Sequence, residues 1–144
     1  MPISEVVVKD VPEMQVVGVR KVIAVRDIGT LFGEAGRQLR SKPAGPPMAI
    51  YHDKEWDPEK ADIEVVFPVT VRGQQTLPAT KVASVTHLGA YEDFGSTYAA
   101  IFGWMSREGY VVAYPNREIY LVGPESGRKP EEYVTEIQVP IRPA

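Results

Sequence analysis

Glu118 is the residue best placed to do chemistry, because of what lies two positions on. In Glu118-Ile119-Tyr120 the acid and the tyrosine would share one face of a strand. Ala49-Ile50-Tyr51 has the same pattern with alanine in place of the acid. If the two stretches are counterparts, Tyr51 and Tyr120 point to one symmetric region and a single carboxylate stands there among aromatic rings. Withdrawal from water raises the pKa of such a carboxyl and gives it a strong preference for a cation that restores charge balance. The competing reading is a solvated strand residue, free to pair with its neighbour Arg117.

Large flat side chains around one acid would favour a planar or cationic aromatic ligand, through stacking and cation–π attraction. The candidates are Tyr51, Phe67, Tyr91, Phe94, Tyr98, Phe102, Trp104, Tyr110, Tyr114 and Tyr120. Phe94, Tyr98 and Phe102 fall at helical spacing, which core packing alone explains. Trp104 lies off that stripe, and Tyr91 sits in a Gly-x-Tyr turn before a helix. Buried tyrosine hydroxyls could also donate to the carboxylate or position a water. His52 and His87 end strands, where surface positions are expected. No serine or cysteine stands by to complete a nucleophilic triad. Gly33-Glu34-Ala35-Gly36 lacks both the preceding strand and the Gly-Lys-Ser/Thr ending of a phosphate loop.

The composition narrows the function further. With no cysteine, disulfides, thiolate zinc sites and a cysteine nucleophile are ruled out, and two histidines make a histidine-rich metal site a poor fit. A net charge of −3 without any basic run longer than a pair argues against direct nucleic-acid binding. No secretory leader or membrane-length apolar run is visible, so the expected location is cytoplasmic. No cofactor is called for.

The elements that must position these residues follow from pattern. Residues 3–9 and 14–25 are β-branched and read as strands, with Pro12-Glu13 as the turn between them. Asp27 reads as the N-cap of an amphipathic helix running to about Arg40, ended by the proline-rich 42–47. Strands follow at 48–52 and 63–71, with a turn at 72–75. The order then recurs: a strand at 80–88, a helix closed by Glu108-Gly109, and strands at 118–122 and 133–141, with a short extended piece at 111–114. Asp27-Ile28-Gly29-Thr30-Leu31-Phe32 matches Asp93-Phe94-Gly95-Ser96-Thr97-Tyr98, and Glu64-Val65-Val66-Phe67-Pro68-Val69 matches Glu136-Ile137-Gln138-Val139-Pro140-Ile141. The chain of 144 residues is thus expected to be one α+β domain. It consists of two strand–helix–strand–strand units, approximately 3–75 and 76–144, related by a pseudo-twofold, with antiparallel sheets forming a central cleft.

Several of these motifs together resemble a known family. His87-Leu88-Gly89-Ala90-Tyr91, Trp104 followed by Gly109-Tyr110, Glu118-Ile119-Tyr120-Leu121 and Tyr133-Val134-Thr135-Glu136-Ile137-Gln138-Val139-Pro140-Ile141 occur in the order seen in GyrI-like small-molecule-binding domains. The same domain is similar to the effector-binding half of some AraC-type and MerR-type multidrug-sensing regulators. The resemblance runs from about residue 3 to 142 and implies an aromatic pocket with a glutamate at the position of Glu118. The implied ligands are hydrophobic, often cationic, aromatic small molecules, walled by Tyr51, Phe67, Tyr91, Trp104 and Tyr120. No DNA-binding segment precedes the first strand, so the stand-alone form is expected. Some stand-alone relatives resemble hydrolases that open cyclopropane rings, for which Glu118, Tyr91, Tyr120 and Trp104 are the candidate residues. Others are implicated in protecting DNA gyrase, which leaves a protein-interaction module as a further reading, its partner unknown.

Overall fold

The computed structural model describes residues 5–144. Nine strands and two helices follow one another: β1 (Val7–Val11), β2 (Met14–Ile23), α1 (Ile28–Gly36), β3 (Met48–Tyr51), β4 (Ala61–Val69), β5 (Gln75–Leu77), β6 (Thr80–Leu88), α2 (Phe94–Glu108), β7 (Tyr110–Val112), β8 (Asn116–Val122) and β9 (Val134–Pro143). The expected first strand begins at residue 3, outside the described residues. No helix among the described residues is long and apolar enough to cross a membrane.

The two helices are entered in the same way. Each follows a 3-10 turn, Val25–Asp27 or Tyr91–Asp93, set off by an extended alanine, Ala24 or Ala90. A hydroxyl then ties back to the aspartate carbonyl: Thr30 Oγ1 donates to Asp27 O at 2.9 Å, and Ser96 Oγ to Asp93 O at 2.9 Å. Asp27 occupies the N-cap position, but its side chain makes no capping bond. α1 stops at Gly36 rather than near Arg40. Its last amides tighten instead to i−3 carbonyls, Gln38 N to Ala35 O at 3.0 Å and Leu39 N to Gly36 O at 3.1 Å. Gly109 does terminate α2, at φ 82°, the left-handed conformation that glycine adopts without strain.

Where two sheets were expected there is one. The order β1-β6-β9-β8-β3-β4-β2-β5 is continuous and antiparallel, with β7 pairing onto the end of β9. The units meet at β3 and β8, in register from Met48↔Ile119 to Tyr51↔Asn116, which sets Ala49 opposite Glu118. Read outward from this seam, β3-β4-β2 mirrors β8-β9-β6, as a pseudo-twofold requires. β1 crosses to pair with β6 of the other unit, and β5 starts at the last residue of the expected turn and pairs with β2.

Period-two alternation decides what each face of the sheet buries. One face carries Ala49, Ile63, Val65 and Tyr120, closed by Leu31 and Ala35 of α1. Further along it, Ala83, Val85, Ile137 and Val139 are closed by Ile101 and Met105 of α2. The opposite face buries Val16, Met48, Ile50, Val66, Leu77 and Ile119 without any helix. The sheet covers them itself by curling: Lys9 on β1 reaches Glu136 on β9, and Gln75 on β5 reaches Glu64 on β4, each across an intervening strand.

Candidate functional site

Because both helices pack on the same sheet face, the strip between them, over β3 and β8, is left open. It forms a cavity of about 1000 Å³. α1 contributes Ile28 and Phe32 to its walls, and α2 contributes Phe94, Tyr98 and Phe102. Tyr51, Phe67, Tyr91 and Tyr120 also line it, with Glu118 among them. Of the residues read from the sequence as walls, Trp104 lies elsewhere. Its indole stacks on Tyr110, centroids 5.8 Å apart and planes within 11°, in the cluster beneath the far end of α2.

Glu118 is 5% exposed, so the solvated reading does not hold. Nor does it pair with Arg117, since adjacent strand residues point to opposite faces. Three tyrosyl hydroxyls surround the carboxylate instead. Tyr120 donates to Oε1 at 2.6 Å, Tyr98 to Oε2 at 2.5 Å, and Tyr51 to Oε1 at 3.2 Å. The Tyr51 and Tyr120 oxygens, from counterpart positions, are 3.5 Å apart. No lysine or arginine among the described residues forms an ion pair with Glu118, which leaves its charge uncompensated.

Burial pushes the Glu118 carboxyl above the usual carboxylate range, against the opposing effect of the three phenol donors and of nearby His87. The same burial, reinforced by Glu118, pushes Tyr51, Tyr98 and Tyr120 well above the ordinary phenol value. These hydroxyls therefore stay protonated and act as donors. Replacing Tyr98 by phenylalanine removes the donor on Oε2 and is expected to move the Glu118 pKa further up. The carboxyl carbon resonance of labelled Glu118, followed through a pH titration, checks this. An unmoved midpoint would show that Tyr98 contributes nothing to the carboxylate.

Helical spacing assigns Phe94, Tyr98 and Phe102 to core packing; Phe94 and Tyr98 do pack against the core under α2, but all three also line the cavity. The signal that finds Tyr98 is its match with Phe32 in the two helix-opening stretches, since both approach the seam: Phe32 lies edge-on to Tyr120, centroids 5.5 Å apart. Trp56 was also missed; 58% exposed at the cavity, it contacts the Tyr51 ring at 5.7 Å. The histidines divide. His87 is fully buried rather than a surface residue, its ring nitrogens bonded to Thr97 Oγ1 at 2.6 Å and Ala90 O at 3.0 Å. His52 is half-buried and lies 2.9 Å from Glu64. Among the described residues no group of three or more His, Asp or Glu side chains is placed to hold a metal ion.

The sequence matches the GyrI-like small molecule binding domain over residues 4–142. The chain belongs to that family. Comparison with curated proteins returns no match. Among solved structures, this GyrI-like chain is similar to the EcmrR C-terminal domain, at 24% identity, covering 97% of this chain and 98% of that one with a TM-score of 0.87. A hydrolase from Listeria innocua aligns at 14% identity over 96% and 92% of the two chains, TM-score 0.63. SAV2435, in its structure bound to tetraphenylphosphonium, aligns at 15% identity over 96% and 94%, TM-score 0.60. At these identities the likeness is one of fold. Small-molecule binding is the family's description, and the cavity between α1 and α2 has the size and lining common to small-molecule sites.

Proposed function

We propose that this GyrI-like protein binds hydrophobic, often cationic, aromatic small molecules in the cavity between its helices, with Glu118 as the charge that selects them. The observation carrying this reading is a carboxylate buried under aromatic rings with no cationic side chain beside it. A buried charge without a counter-charge is costly, and a ligand cation removes that cost on binding. The hydroxyl donors occupy much of the carboxylate's hydrogen-bonding capacity, so the attraction needs no donor on the ligand. That suits cations of spread or shielded charge. The tetraphenylphosphonium bound by SAV2435, a protein of the same fold, is a ligand of this chemistry. The test is a titration with a panel of dye cations against wild type and Glu118→Gln; equal affinities would sink the role given to Glu118.

Hydrolysis in the same pocket is the rival reading, prompted by the name of the Listeria innocua neighbour. Glu118 already accepts three hydroxyl bonds, which leaves few of its lone pairs free to take a proton from an attacking water. Incubation with an electrophilic cyclopropane compound is therefore expected to yield ring-opened, hydrated product no faster than buffer does. Product formed faster than that, and lost in Glu118→Gln, would make the protein an enzyme.

A further inference from the structure

We propose that the cavity holds a second cation subsite at Glu125, so that its preferred ligands are bis-cations with two aromatic heads. This deepens the reading above and rests on it. Four charged residues line the cavity: Asp53, Lys54, Glu118 and Glu125. Three are engaged within the protein. Glu118 accepts its tyrosyl hydroxyls, Asp53 Oδ2 accepts the Asp62 amide at 2.6 Å, and Lys54 Nζ stands 5.9 Å from the Tyr114 ring centroid. Among the described residues, the Glu125 carboxylate alone of the four has no hydrogen bond, ion pair or ring contact.

Glu125 lies on the 3-10 turn Pro124–Ser126, just after β8. A Cβ built on Gly123 would lie 2.9 Å from Glu125 Oε2 and 3.1 Å from the Tyr91 hydroxyl, so acid and phenol flank the same point. The Tyr91 pKa is pushed up to about 12, by burial first, then by Glu125, then Tyr133, then Glu118. The Tyr91 hydroxyl thus feels both carboxylates. The Tyr91 and Tyr120 rings meet edge to face with centroids 5.8 Å apart, and Tyr120 donates to Glu118. A continuous aromatic path therefore joins the two acids, and each end pairs a carboxylate with a tyrosine, the combination that attracts a flat cation. The cavity, about 1000 Å³, stands at the upper end of the range for small-molecule sites, with room beyond one planar head.

Tethering makes the second contact intramolecular, so a dication gains affinity from a subsite that is weak on its own. Glu125 is exposed, which makes that gain sensitive to salt. The experiment titrates an alkyl-bridged bis-quinolinium against a mono-quinolinium carrying the same alkyl chain, at low ionic strength. In wild type the dication is expected to bind roughly tenfold tighter. In Glu125→Gln the ratio should fall to about the twofold advantage that two identical heads give statistically. In Glu125→Lys it should fall below one. A ratio unchanged in both variants overturns the second subsite. Glu118→Gln should weaken both compounds; if it leaves the mono-cation untouched, the reading of the cavity itself fails, whatever Glu125 does.

Discussion

A planar aromatic cation is expected to bind Glu118→Gln about a hundredfold more weakly than wild type at neutral pH, a loss of ~2.7 kcal/mol. The substitution keeps the shape of the side chain, removes its charge and turns one acceptor oxygen into an amide donor. Removing that charge deletes an attraction that operates in a buried, weakly screened environment. Fluorescence titration of a dye cation reads the loss directly, and an uncharged aromatic of the same outline should bind both proteins alike. The free protein should respond in the opposite sense. Burial raises the Glu118 pKa in the folded state, so folding favours the protonated acid. The stability from this group is fully present below its unfolded pKa and is lost as pH rises through the folded one. At neutral pH Glu118→Gln is therefore expected to melt higher than wild type, and the difference should close on acidification. A variant that lost both affinity and stability at neutral pH would point to a purely structural acid.

Gly18→Ala is expected to destabilise the fold by ~3 kcal/mol or more, enough to leave much of the protein unfolded in mild denaturant. A Cβ at this position would lie 2.0 Å from the Val65 carbonyl oxygen and 2.8 Å from Val66 Cα. Both are backbone atoms of β4, so no change of rotamer relieves the overlap. The β2–β4 ladder, which pairs Gln15↔Val69 through Ile23↔Ala61, would have to part locally. Val65 also packs under α1, so the loss should spread to one wall of the cavity. Gly109→Ala offers the comparison: nothing stands within 4 Å of its added Cβ, and the cost is confined to a left-handed φ of 82°. A urea midpoint for Gly18→Ala no lower than that of Gly109→Ala would refute the close-approach argument.

Much of the frame could be read from pattern because the deciding interactions are local. Strand parity puts Glu118 and Tyr120 on one face, and the chain gives Tyr51 as their counterpart before any contact is known. The terminating role of Gly109 follows from glycine's freedom at positive φ. The misreadings come from packing that residue spacing does not encode. Tyr98 sits at helical spacing like any core residue, and only the approach of α2 to β8 turns its hydroxyl onto Glu118. Trp104 lies off the apolar stripe, yet Tyr110, just past the Gly109 turn that ends α2, stacks on it. His87 ends a strand, where solvent is the usual neighbour, but the α2 hydroxyl of Thr97 and the Ala90 carbonyl receive it in the interior. β5 is three residues long, too short for alternation to announce it.

The continuous seam between β3 and β8 has a mechanical consequence. Their register pairs lie directly beneath the cavity, so the two units cannot part like jaws without tearing main-chain hydrogen bonds. The cavity is a trough whose bed is fixed by this ladder, with Glu118 standing on the bed and α1 and α2 as its two banks. If the proposed ligands bind there, any room for a larger one must come from the banks and not from the bed.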